Sequence, residues 1–95
     1  MASSTEYLTY VLELLRGVDG ISYKKMMGEF LLYRNAVLFG GVYDNRFLIK
    51  KVPSLAPLGL KEQIPYPGAK PMLLVDAEDQ EEVAKIVELA CQDLA

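Results

Sequence analysis

Cys91 is the only cysteine in a 95-residue chain that has no histidine at all. Imidazole base catalysis, Ser-His-Asp triads and His-ligated metal sites are therefore closed to this chain. A lone thiol needs a nearby base or cation to act as a nucleophile. Cys91 follows Val87 by one helical turn beside an apolar stripe, which predicts a structural, partly buried and chemically inert thiol. The carboxylates gather at helix starts and turns, where capping accounts for them, and they form no pair suited to acid-base chemistry. Gly40 and Gly41 are followed by neither the Lys-Ser/Thr of a phosphate loop nor a spaced glycine trio opening a helix, so nucleotide binding has no support. Tyr23, Tyr33 and Tyr43 lie among Lys24, Lys25, Arg34, Arg46 and Lys50, the mixture of aromatics and bases found on single-strand nucleic-acid surfaces. Tyrosine is also an ordinary strand residue, the chain is acidic overall, and no recognition helix or RNP-type pattern accompanies the mixture. The sequence thus predicts a domain with no catalytic residue, no cofactor and no metal.

The charge is unevenly spread. A net −3 resolves into −2 over residues 1–15, +5 over 16–70 and −6 over 71–95. The acids of the last part suit the start and solvated face of a helix, and the middle part offers a basic face to an acidic partner. At 52% hydrophobic residues, a chain of this length buries roughly two thirds of its unfolded surface and builds one core without disulfides. A single domain over residues 1–95 is expected. Charged residues interrupt every apolar run well short of the roughly 20 residues a spanning helix needs, and residues 1–6 lack the basic and apolar parts of a secretory signal. A cytoplasmic protein with no membrane insertion is expected.

The elements that would hold these residues can be read from periodicity. Ser3 and Glu6 have capping-box spacing, Leu8, Val11, Leu12 and Leu15 form one helical stripe, and Gly17 offers a stop; a helix is predicted over 4–16. Residues 21–52 turn to β-branched and aromatic runs, predicting strands at 30–33, 37–43 and 46–51 with a weaker edge strand at 23–26. Arg34-Asn35-Ala36 and Asp44-Asn45 tolerate the positive φ of hairpin turns. Gly40 and Gly41 weaken their strand unless a bulge or a close neighbour requires them, and a helix lying across them would supply that neighbour. Four prolines between 53 and 70 permit at most one helical turn, near 54–58. The run from Pro71 to Asp76 reads as an inner strand paired with the meander, and Asp79 with Glu82 opens a helix over 79–94 carrying Val83, Ile86, Val87, Ala90 and Leu94.

The expected fold is α+β, an antiparallel sheet of four to five strands with both helices packed on one face. Phe47, Ile49, Met72 and Leu74 are expected to face the helices. Alternation then turns Leu48, Leu73 and Val75 to the second face. That face is expected to be covered either by Leu55, Leu58, Leu60 and Ile64 of the Pro-rich segment or by a second copy of the chain, with the local segment preferred because it costs no association entropy.

Four segments carry a family likeness: Lys25-Met26-Met27-Gly28, Phe39-Gly40-Gly41, the run Asp44 to Lys50, and the run Tyr66 to Met72. In order and spacing they resemble the motifs of the TfoX N-terminal domain family, and with the flanking helices the likeness covers nearly the whole chain. Departures are Met27 for an aromatic residue, Asn45 for a second Asp, Leu73 and Val75 where polar residues are usual, and a short segment after Lys51. The likeness implies an α+β fold with an antiparallel sheet, brings no catalytic residues, and points to stand-alone members, since the longer regulators of natural transformation add a helical domain. The expected function is a non-enzymatic, regulatory protein-interaction domain that binds a protein partner or itself. The residues expected at the contact are Lys24, Lys25, Arg46, Lys50, Tyr66, Lys70, Leu48, Leu73 and Val75. The alternative is a nucleic-acid or acidic-ligand binder using the basic region 16–70.

Overall fold

The computed structural model describes residues 3–94. Helix α1 (Thr5–Leu14) leads into strands β1 (Ile21–Met26), β2 (Glu29–Arg34), β3 (Val37–Val42) and β4 (Phe47–Ile49). A 3-10 helix (Pro53–Leu58), the two-residue strand β5 (Glu62–Gln63), β6 (Met72–Leu74) and helix α2 (Gln80–Leu94) follow. The six strands form one sheet in the order β1-β2-β3-β4-β6-β5, and every neighbouring pair is antiparallel. The architecture is the expected α+β one, with a strand more than expected because β5 is built inside the Pro-rich stretch.

The meander is made by three two-residue turns in which both central residues have positive φ: Met27-Gly28, Asn35-Ala36 and Asp44-Asn45. This backbone twist matches that of the flanking strands. At Asp44-Asn45 the flanking residues exchange both hydrogen bonds, Tyr43 N to Arg46 O at 2.9 Å and Arg46 N to Tyr43 O at 3.0 Å. The turn at Asp44-Asn45 and the one after Arg34 fall where turn chemistry placed them. Met27 is the unforeseen positive-φ position; Ala36 lies in an expected turn, although neither side chain favours the left-handed region.

Helix α1 starts one residue later than its motif implied. Ser4, not Ser3, is the cap, its hydroxyl accepting from Tyr7 N at 3.1 Å. Ser3 instead ties the start of the described chain to the sheet. Its hydroxyl donates to Glu29 Oε1 at 2.6 Å and accepts from Asn45 N at 3.0 Å, while Glu29 Oε2 accepts from Asp44 N at 3.0 Å. At the other end, Gln80 donates to the Glu13 carbonyl at 3.0 Å, joining the two helices, and Asp93 accepts from Ser54 N at 2.8 Å at the start of the 3-10 helix.

Both helices lie on one face of the sheet and share one core. Leu8, Val11 and Leu14 of α1 and Val83, Ile86, Val87 and Ala90 of α2 pack with Phe30, Leu32, Phe39, Val42, Phe47 and Ile49. Phe47 and Ile49 face the helices as expected. Met72 and Leu74 do not. Ile49 pairs with Leu73 and Leu48 with Leu74, and directly opposed residues share a face, so Leu73 and Val75 enter the core while Met72 and Leu74 turn outward with Leu48. A one-residue difference in register exchanges every side chain between the faces of a strand.

Gly40 and Gly41 sit where the sheet itself is crowded. The β2–β3 register shifts between Leu32 and Tyr33, the bulge that one glycine role anticipated. A side chain on Gly40 would strike the Leu48 carbonyl, and a Cβ on Gly41 would stand 2.6 Å from the Phe30 carbonyl and 2.8 Å from the Tyr43 ring. Neighbouring strands and an aromatic ring, rather than a helix, exclude side chains at both positions.

Candidate outer-face binding site

The face of the sheet away from the helices collects most of the residues with recognition chemistry. Strand register places Lys24 and Leu31 opposite each other, Tyr33 opposite Leu38, and Gly41 between Leu31 and Leu48. Tyr43 lies two residues beyond Gly41 and covers it. Leu48 is fully buried here, whereas Leu31, Tyr33, Leu38, Tyr43, Lys50, Met72 and Leu74 are partly exposed.

The cover over this face is the loop from Ile64 to Lys70. Arg46 holds it: Nη1 donates to Gln63 Oε1 at 2.8 Å, and Nη2 donates to the carbonyls of Ile64 and Pro65, both at 3.2 Å. The planar guanidinium suits this task because its fork can serve several oxygens at once. Pro65 is buried, and the Tyr66 ring lies 6.2 Å from that of Tyr43 at an interplanar angle of 48°. Between loop and sheet is an open cleft of ≈ 410 Å³ bordered by Leu38, Tyr43, Lys50, Tyr66, Lys70 and Met72. The Pro-rich segment thus supplies the cover, but through Pro65 to Lys70 and not through the apolar residues expected. Leu55 is in the helix-side core and Leu60 packs against it, while Leu58 and Ile64 are exposed.

The expected contact residues divide. Lys24, Lys50, Tyr66, Lys70, Leu48 and Arg46 belong to the outer face, although the Arg46 guanidinium is occupied by the loop. Lys25, opposite Phe30, points to the helix side of the sheet edge. Leu73 and Val75 are core residues. Sequence reading missed Leu31, Leu38 and Met72 as members of this face. Alternation between buried Phe30 and Leu32 signals Leu31, but Met72 follows only from a register that the short β6 strand leaves undetermined in sequence.

Charge on this face is positive by arrangement as well as composition. Glu29 is its acid, and both its carboxylate oxygens are taken by Ser3 and the Asp44 amide. Burial holds the Tyr43 hydroxyl above the ordinary tyrosine pKa, with Tyr66, Glu29 and Tyr33 adding to the shift, so Tyr43 is neutral at physiological pH. Lys51 is paired with Glu62 at 2.8 Å. Among the described residues no three His, Cys, Asp or Glu side chains gather as a metal site, and no helix is long and apolar enough to cross a membrane. Cys91 is partly buried against the core.

No protein-family model matches the chain. No curated protein matches it either.

Proposed function

We propose that this chain is a non-enzymatic protein-interaction domain, regulatory in role and of the TfoX N-terminal type, that engages its partner through the outer face of its sheet. The observation that carries this reading is the one-sided cover. Two helices seal one face, while the other keeps Leu31, Tyr33, Leu38, Tyr43 and Met72 partly exposed among Lys24, Lys50 and Lys70. Apolar and aromatic surface rimmed by charge is the composition of a protein contact. The four segments that carry the family resemblance support the same face. They build its turn at Met27-Gly28, its glycine-bearing strand, the Arg46 clamp and the clamped loop.

The test is a photo-crosslinking residue placed at Leu38 or Tyr66 and, as reference, at Glu88 on the exposed side of α2. A discrete adduct formed from the two outer-face positions and lost in Lys50→Glu/Lys70→Glu supports the reading. Adducts of equal yield from all three positions would sink it.

One arrangement favours a second reading. Tyr33, Tyr43 and Tyr66 share a face with three lysines, which suits stacking and phosphate contacts on a single-stranded nucleic acid. Counterion release would make such binding fall steeply with salt. A flat salt profile for any outer-face complex removes this reading.

A further inference from the structure

Strand β1 is an open edge of unusual regularity. The opposite edge, β5, has two residues, whereas β1 pairs with β2 through six consecutive positions without a register shift. It contains no proline, and every residue from Ser22 to Met26 is exposed. Long, unbulged, uncovered edges are templates for another strand. The bond from Asn35 N to Gly20 O, 2.9 Å, sets the phase of the ladder. Bonded and non-bonded pairs alternate in an antiparallel pair, so Ser22, Lys24 and Met26 exchange bonds with β2. Ile21, Tyr23 and Lys25 turn their N–H and C=O groups outward, and these groups have no partner among the described residues.

Side-chain chemistry chooses the occupant. Adjacent strand residues point to opposite faces, so Lys25 lies on the helix side of the edge and Lys24 on the outer side. Tyr23, 51% exposed and edge-on to Phe30 at 6.0 Å, and Met26, 49% exposed, add apolar surface on the two sides. A second copy of β1 docking antiparallel about Lys24 would bring lysine against lysine, and like charges on neighbouring strands repel; docking about Tyr23 would set Lys24 against Ser22 and Lys25 against Ile21, leaving neither lysine a carboxylate. The same two lysines select an incoming strand with adjacent acids, since consecutive carboxylates fall one on each face. We infer that β1 accepts an extended acidic segment of another protein as a seventh strand, read through the backbone of Ile21, Tyr23 and Lys25 and selected by Lys24 and Lys25. This is strand addition to a sheet edge, in which main-chain bonds supply affinity and alternate side chains supply specificity. It shares Lys24 with the outer face but does not rest on the outer-face reading.

The probe is the octapeptide acetyl-Thr-Val-Thr-Glu-Glu-Val-Thr-Val-amide, compared with its Lys-Lys counterpart and with a version N-methylated at alternate residues. Amide hydrogen exchange and chemical-shift perturbation are followed in the isotope-labelled domain. The expected result is at least threefold slower exchange at Ile21, Tyr23 and Lys25, with Ser22 and Lys24 unchanged because β2 already protects them. At least tenfold weaker binding is expected of the basic and the N-methylated peptides. Tyr23→Pro removes an outward N–H that the β2 ladder does not use, and it should abolish binding. Lys24→Glu/Lys25→Glu should reverse the charge preference, and this variant decides the matter if Tyr23→Pro does not fold. Lys50→Glu/Lys70→Glu should leave peptide binding intact. Equal binding of acidic and basic peptides overturns the inference, as does unchanged exchange at millimolar probe or perturbation confined to Tyr66 and Lys70. Concentration-dependent protection of the same amides without peptide, with a doubled mass in sedimentation, would show that a second copy holds the edge and also overturns it.

Discussion

Arg46 and Gln63, seventeen positions apart in the chain, are joined by a 2.8 Å hydrogen bond that fixes the outer-face loop to the start of β4. The same guanidinium also serves the Ile64 and Pro65 carbonyls. Hydrogen bonds to a charged group contribute roughly 1.5–3 kcal/mol before solvent exposure discounts them. Arg46→Ala should lower stability by about 2 kcal/mol and speed amide exchange selectively in residues 64–70. Arg46→Lys should recover little, because an ammonium cannot span three oxygens in one plane. Exchange in the loop unchanged by either substitution would refute the clamp.

The corrected register of β6 makes adjacent residues unequal. Leu73 is 5% exposed within the core, so Leu73→Ala should cost roughly 2–4 kcal/mol. Met72→Ala, on the outer face, should cost less than half as much. Equal losses in chemical denaturation would return β6 to the phase expected from sequence.

Gly41 has no room for a methyl group. With the Phe30 carbonyl 2.6 Å from the position a Cβ would occupy, Gly41→Ala must shift β2 against β3, at a cost of about 1–3 kcal/mol typical of overpacking. A thermal melt of the variant matching wild type would show that the sheet can open there freely.

Ala36 holds φ +66°, a region unfavourable to residues with a Cβ. Ala36→Gly relieves that strain and gives back part of the gain through the more flexible unfolded chain. The expected net effect is stabilisation by roughly 0.5 kcal/mol. A destabilised variant would indicate that Ala36 packs in a way its turn geometry conceals.

Tyr43 couples stability to alkaline pH. Its folded pKa is raised above the ordinary 10.0 by burial and by Tyr66, Glu29 and Tyr33. The unfolded chain therefore loses this proton first, and as pH rises from 10.0 through the folded value the folded state is progressively disfavoured. Below pH 10.0 the effect is absent. Tyr43→Phe should flatten the loss of stability above pH 10, and the ultraviolet titration of wild type should include late-ionising absorbance from Tyr7 and Tyr43, of which the variant keeps only the Tyr7 part. Parallel alkaline profiles for the two proteins would contradict this placement.

Most of the framework was legible in the sequence because it is encoded locally. The apolar stripe of α2, the turns at Asn35 and Asp44-Asn45, the helical turn near 54–58 and the inner position of β6 all follow from spacing and turn chemistry. Phe47 and Ile49 were placed in the core by the same logic. The phase of β6 was not legible, because Met72, Leu73, Leu74 and Val75 are all apolar and no polar alternation marks which residues point inward. The residues of the outer-face cover were missed for a related reason. Leu55 and Leu60 look as suitable for one face as for the other, and the loop that does cover the face is held by Arg46 through carbonyl groups that side-chain identity does not reveal. Ser3 misled in a different way: its spacing to Glu6 is that of a cap, but a carboxylate 26 positions away, Glu29, claims its hydroxyl.

The three two-residue hairpins have a kinetic corollary. Each of the first three strand pairings joins neighbours in the chain, so β1 to β4 can zip up through microsecond hairpin steps. The β4–β6 ladder, pairing Leu48 with Leu74, must close a much longer loop, and such non-local pairing slows folding. Until β6 pairs, β4 has no partner on its far side and is a second open edge; the pairing of β6 is what leaves β1 as the long edge of the finished sheet.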